Sequence, residues 1–222
     1  ALRQSSNTFF YHVGVGAGSK ALKQAADQLG FQQKTGIEIG WEESVGLVGD
    51  EAWAAAGRGW AEPGTVPWIP EDMASASIGQ SVVQITPLQL ARAYAVFANG
   101  GWLVTPHLAQ GTTDWLDADH RRKVPMKAST LATIRAGLRK VVSAGTGFGL
   151  NGPGIPTAAG KTGTAEDSTG GPDHAWFGSY APYPNGEIVV VAFAQNTPGG
   201  GSVHALPMAK AVLAEWNRTR QE

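Results

Sequence analysis

The sequence predicts an α+β fold, an antiparallel sheet flanked by helices. Two observations carry that prediction. Three segments that read as capped helices precede three β-rich runs, which follow one another with no helix between them, and a fourth helix closes the chain. Helices, then meandering strands, then a helix is an α+β order, whereas alternating βαβ units would give a parallel sheet.

The first helix opens at Ser19, buries a stripe of Leu22, Ala25, Ala26 and Leu29, and ends at Gly30. Upstream of it, Gly14-Val15-Gly16-Ala17-Gly18 reads as a helix lead-in. Residues 36–77 are rich in Gly, Pro and Trp with little periodicity. They read as ordered loop and short helix lining a surface, because disordered chain rarely carries residues such as Trp41, Trp53, Trp60 and Trp68. Thr86-Pro87-Leu88-Gln89 is a capping box with Pro at the first helical position. Its stripe is Leu90, Tyr94 and Phe97, and Asn99-Gly100-Gly101 stops the helix. A third helix follows Ser129 with Leu131, Ile134, Leu138, Val141 and Val142, closed by Gly145. The strand-like runs are Thr157 to Glu166, His174 to Ala181 and Ile188 to Asn196, with Pro184-Asn185-Gly186 as the hairpin signal between the last two. Pro207 starts a terminal helix that buries Ala209, Val212, Leu213 and Trp216. The run Ile188 to Ala194 is apolar on both faces and needs cover on both. The terminal helix supplies only one of these covers.

Composition narrows the function classes. The 222 residues carry 42% apolar side chains, enough for a sizeable core, and only 16% charged ones, with a net charge of −1. Nucleic-acid and anionic-membrane surfaces need a basic surplus that this balance lacks. The one dense basic run, Arg121-Arg122-Lys123, reads as a solvated turn. With no Cys, disulfides and thiolate metal sites are excluded. The longest unbroken apolar run has seven residues, against roughly 20 for a membrane helix, and no segment reads as a signal peptide.

The five histidines (His12, His107, His120, His174 and His204) are dispersed without metal-ligand spacing, so no metal is assigned. No glycine-rich loop has the Walker pattern or sits in a βαβ unit. Two short motifs stand out: Ser5-Ser6-Asn7, a Ser-x-Asn, and Lys161-Thr162-Gly163-Thr164-Ala165 on the first predicted strand. Ser-x-Asn alone means little, since a chain of this length holds on the order of one by chance. The bland reading of Lys161 is a surface lysine at a strand end, and of Gly163 a bulge. The two motifs in this order are the informative feature.

Ser-x-Asn followed by Lys-Thr-Gly resembles the active-serine, penicillin-recognising acyl transferases, where both motifs flank a Ser-x-x-Lys nucleophile. Residues 3–11, Ser77-Ile78-Gly79-Gln80, Thr86-Pro87-Leu88-Gln89, Ala98-Asn99-Gly100-Gly101, residues 161–166 and residues 174–182 are similar to class B penicillin-binding proteins, and the last of these resembles the elongation type most. The resemblance covers essentially the whole chain. It implies the penicillin-binding protein/β-lactamase-like transpeptidase fold, with residues 1–222 as the C-terminal part of that domain. It also implies a peptidoglycan D,D-transpeptidase that cross-links stem peptides ending in D-Ala-D-Ala through a serine ester and binds β-lactam antibiotics. No cofactor and no nucleic acid are implied. The implied location is the periplasmic, extracytoplasmic face of the membrane, with the anchor outside the chain and the cell-elongation machinery as partner. Under this resemblance Lys161, with the hydroxyls of Thr162 and Thr164, holds the substrate carboxylate. The backbone N–H of Thr164 serves the oxyanion, and Gly163 lets an extended peptide pair along the strand edge. Ser5 relays a proton and Asn7 binds the substrate backbone, with both pointing into the cleft and Ser6 away, as alternate residues of an extended turn do.

Two departures stand against the pattern. No lysine has a serine three positions earlier, so the nucleophile is expected in the N-terminal remainder of the same protein. At Gly79-Gln80-Ser81 the family pattern has glycine in place of Ser81. Two other readings compete. A D,D-carboxypeptidase or β-lactamase-like hydrolase would use water as acceptor and is disfavoured by the surroundings of Trp176. A non-catalytic β-lactam sensor would have no serine of its own.

Overall fold

The computed structural model describes residues 1–39, 42–109, 120–167 and 169–221, so Trp41 lies outside the described residues. The architecture is α+β. Its centre is a three-stranded antiparallel meander of β5 (Ala159–Ala165), β6 (His174–Ala181) and β7 (Ile188–Ala194), in the order β5-β6-β7. The register pairs Lys161 with Gly178 and Gly163 with Trp176, then Trp176 with Phe193. All three strands fall inside the segments expected from the sequence, trimmed by a residue or two at some ends.

Helices precede and close the sheet. They are α1 (Asn7–Ala17), α2 (Ser19–Gln28), α3 (Glu51–Ala55), α4 (Pro70–Ser77), α5 (Pro87–Ala98), α6 (Ala128–Ala144), α7 (Gly200–Val203) and α8 (Ala205–Thr219). Two small ribbons join β1 (Leu47–Val48) to β2 (Val83–Gln84), and β3 (Trp102–Val104) to β4 (Arg121–Lys123). The expected first helix begins at Ser19 as read, but Gly18 is its N-cap and Ser19 lies buried inside it. Lys127, not a serine, caps α6. The terminal helix starts two residues before Pro207 and buries Leu206, Ala209 and Leu213, while Val212 is 49% exposed.

The structure corrects three readings. Residues 7–17 are a full helix rather than a lead-in. Two interior glycines weaken its helical signal, each costing about 1 kcal/mol relative to Ala. One of them is required: a Cβ on Gly14 would lie 2.3 Å from Ser77 Cβ, where α1 crosses α4. The basic run is not a solvated turn but β4, whose Arg121 and Lys123 lie over the Trp102 ring at 4.6 and 4.9 Å. Cation–π contact and a stem laid on the ring explain why cations suit this strand. Finally, β7 receives its second cover from within the chain: α8 packs on one face and α5 on the other.

That double duty shapes α5. Its capping box forms as expected, with Gln89 N–H donating to Thr86 Oγ1 (3.1 Å) and Thr86 N–H to Gln89 Oε1 (2.9 Å). The predicted stripe faces the sheet, where Tyr94 joins Leu138, Ala159 and Tyr180, with Leu90 and Phe97 partly buried around them. The opposite face is buried too. Gln89, fully inaccessible, donates to Gln33 O and Val45 O, and Arg92 donates to Val104 O. A second core, built from Phe177, Ala175, Val190 and Ala192 of the sheet with Leu206, Ala209 and Leu213 of α8, fills the other side.

Candidate active site

Lys161 projects from β5 toward the segment at the start of α1. A short 3-10 turn, Leu2–Gln4, packs against α6 and ends at Ser5, whose backbone is left-handed (φ 52°). That conformation turns the Ser5 hydroxyl back on the strand, where Lys161 Nζ donates to Ser5 Oγ at 2.8 Å. Ser6 is the N-cap position of α1 and makes no side-chain cap bond; its hydroxyl lies 3.3 Å from Thr8 Oγ1, and Asn7 is the first helical residue. Ser5 and Asn7 line a cleft of about 530 Å³ and Ser6 does not. The alternation matches the expected pattern, but its cause is a left-handed residue followed by a helix start, not an extended turn.

Lys161 Nζ also donates to Thr162 O at 2.6 Å. Burial of its ammonium pushes its pKa below the ordinary lysine value. The Thr162 hydroxyl meets Thr146 Oγ1 at 2.8 Å, and Thr164 Oγ1 accepts from Gly201 N–H at 3.4 Å. Because Thr164 Oγ1 accepts there, its own proton remains available to a ligand. A Cβ on Gly163 would come within 3.1 Å of Trp176 Cβ, so the glycine also admits Trp176 of β6. The six predicted residues Ser5, Asn7, Lys161, Thr162, Gly163 and Thr164 all line this one cleft.

Sequence reasoning missed several other residues that line the cleft or brace its walls. Tyr94, read as core, also lines the cleft; its phenol is pushed well above the ordinary value by burial and then by Tyr180. Thr146, between two glycines at the end of α6, donates its N–H to Arg3 O (3.3 Å) and meets Thr162, tying the Ser5 segment to β5. Gln80 bonds to the backbone of β5 through its amide, donating to Thr164 O (3.0 Å) and accepting from Glu166 N–H (3.2 Å). No periodicity marks Thr146 or Gln80, although Gln80 sits inside one of the stretches that carry the resemblance.

A Ser-x-Asn turn hydrogen-bonded to a Lys-Thr-Gly strand at the edge of an antiparallel sheet is the arrangement that the active-serine, penicillin-recognising class carries beside its Ser-x-x-Lys nucleophile. The chain belongs to the penicillin-binding protein transpeptidase domain family, which matches residues 1–214. It is 32% identical over 235 residues to the peptidoglycan D,D-transpeptidase MrdA of Haemophilus influenzae, a match covering 96% of this chain and 35% of that protein. To the peptidoglycan D,D-transpeptidase PbpA of Mycobacterium tuberculosis it is 28% identical, over 96% of this chain and 42% of that one. Among solved structures, PBP2 of Helicobacter pylori in complex with MreC aligns with a TM-score of 0.82 at 25% identity, covering 100% of this chain and 39% of that one. A peptidoglycan synthase complex that coordinates polymerization and crosslinking contains a chain aligning at 0.77 with 35% identity, covering 97% and 37%. The chain spans about a third of the length of the first curated relatives it matches.

Proposed function

We propose that the protein carrying this chain is a peptidoglycan D,D-transpeptidase and that these residues form the carboxylate-binding and proton-relay half of its active site. The observation that carries the reading is the 2.8 Å hydrogen bond from Lys161 Nζ to Ser5 Oγ, joining the two motifs across the cleft. In this reading the nucleophilic serine lies outside the chain. Its Oγ attacks the carbonyl of the penultimate D-Ala, the C–N bond breaks, and D-Ala leaves as an amine. Ser5 accepts a hydrogen bond from the Lys161 ammonium, which leaves its own proton free to pass to that amine, while the proton lost by the attacking serine replaces it. When the second amine attacks, its proton returns to the departing serine oxygen by the same relay. The amine of a second stem peptide then attacks the ester, forming the cross-link and releasing the serine. Lys161 and the Thr162 and Thr164 hydroxyls hold the terminal carboxylate, Thr164 N–H faces the developing oxyanion, and Asn7 holds the donor backbone.

β-Lactams enter the same cleft as D-Ala-D-Ala mimics and stop at the acyl-enzyme. Such a substrate places the domain on the extracytoplasmic face of the membrane. The likeness to a PBP2 solved with MreC supports an elongation-machinery partner. The test is acylation of the intact protein by a fluorescent penicillin. Lys161→Ala slows it by at least about tenfold, since losing a charged donor costs about 1.5–3 kcal/mol. Acylation at the wild-type rate removes Lys161 from the site.

A further inference from the structure

In a strand, the N–H and C=O of one residue point to the same side, and alternate residues point to opposite sides. Lys161 Nζ reaches Thr162 O and Gln80 reaches Thr164 O, so Thr162 and Thr164 present their backbone groups to the open edge of β5. Glu166 does the same, and its N–H goes to Gln80 Oε1. The Gln80 amide therefore occupies the edge between residues 164 and 166 as a residue of an adjacent strand would, with one donor for a C=O and one acceptor for the N–H two residues on. A peptide laid along β5 meets the N–H groups of Thr162 and Thr164 and the second lone pair of Thr164 O, and the Gln80 amide closes the edge beyond, at the Glu166 N–H.

The fold holds Gln80 firmly in that position. Gln80 N–H donates to Ser75 O and Gly79 N–H to Ala76 O, the two bonds of a Schellman motif ending α4, with Gly79 left-handed at φ 78°. Ser81 on the other side is also left-handed, at φ 55°, a conformation that a residue with a Cβ keeps only when its surroundings enforce it. This is where the family pattern has glycine. The helix whose capping motif ends at Gln80, α4, packs on α1, which begins at Asn7. Gln80 thus ties the wall carrying Asn7 to the strand carrying Lys161 and Thr164. It also stands between the cleft and a second hollow of about 490 Å³ beyond it.

We propose that Gln80 is a positioning residue that fixes the end of β5, sets where a bound peptide stops pairing, and holds the Thr164 N–H where the oxyanion forms. The proposal rests on the transpeptidase reading above. The test compares wild type, Gln80→Ala and Gln80→Glu in the intact protein. Stopped-flow acylation by a fluorescent penicillin separates the acylation rate constant from the dissociation constant, and peptide-resolved hydrogen exchange follows residues 163–167. Gln80→Ala is expected to lower the acylation rate constant roughly tenfold, with the dissociation constant changed by no more than about twofold. Exchange at the Glu166 amide speeds up in parallel. Gln80→Glu keeps the acceptor for Glu166 N–H but turns an anionic oxygen on Thr164 O. Protonation restores the donor, so its rate relative to wild type rises as the pH falls from 7 to 5. The charged groups facing that site are Lys161 on β5, Glu166 and Asp167 after it, and His174 on β6. A wild-type rate constant in Gln80→Ala, or a loss confined to the active fraction of molecules, overturns the proposal. A wild-type protein that takes up no penicillin instead overturns the transpeptidase reading, and the Glu166 amide still decides whether Gln80 clamps the strand.

Discussion

At the scale of single residues, position in the backbone decides which of two adjacent serines meets the strand. Ser5, left-handed at the end of a 3-10 turn, faces Lys161; Ser6, at the start of α1, faces Thr8. Ser5→Ala should slow penicillin acylation of the intact protein by at least about tenfold, as loss of a proton relay does. Ser6→Ala should stay within about twofold of wild type in the same assay, and the reverse order of severity would discard the assignment. Ser5, Asn7 and Lys161 were legible because motif spacing names residue types. The left-handed turn at Ser5 was not, because serine rarely adopts it and nothing local requires it.

At the scale of elements, α4 depends on a charge pair brought together from loop and helix. Arg58 donates through both terminal nitrogens to Asp72, at 2.9 and 2.6 Å, and Asp72 also accepts from Ile69 N–H at the start of the helix. The Arg58 hydrogen bond holds the Asp72 carboxyl below its ordinary pKa. Because the folded value is depressed, the stabilisation is complete above the unfolded pKa of about 3.9 and is lost as pH falls through the lower folded value. Asp72→Asn should lower the unfolding free energy of the domain by about 2 kcal/mol at pH 7. It should also flatten the decline of the melting temperature below pH 4, which thermal unfolding across pH would show. A decline as steep as wild type's would mean that other carboxylates govern the acid limb. The sequence showed ordered loop and short helix in this stretch without placing α4, whose eight residues depend on Arg58 and on packing against α1. It likewise hid α1, whose glycine serves a helix crossing rather than a turn.

At the scale of the whole molecule, α5 joins the parts, with its stripe on the sheet and its other face on the chain around Gln33 and Val45. It also answers the need for cover on β7, so the sheet does not depend on another segment for that face. Two features leave surface unpartnered. Among the described strands β7 pairs with β6 alone, and Phe9 and Val13, one turn apart on α1, are 51% and 46% exposed. The 222 residues expressed alone should therefore be poorly soluble or melt without cooperativity, and should retain no radiolabelled penicillin after denaturation, while the intact protein retains about one equivalent. A soluble, cooperatively melting fragment would refute the structural expectation, and stoichiometric acylation of it would place the nucleophile within these residues. The sequence by itself determined the α+β order, the three strands, the capping box of α5 and the identity of the two motifs, because periodicity, capping chemistry and motif spacing are local. Only the tertiary structure decided that α5 is buried on two faces, that a basic run is a strand laid on Trp102, and that Gln80 and Thr146 reach β5. Those are contacts between residues far apart in the chain, and no local pattern encodes the partner that makes each of them favourable.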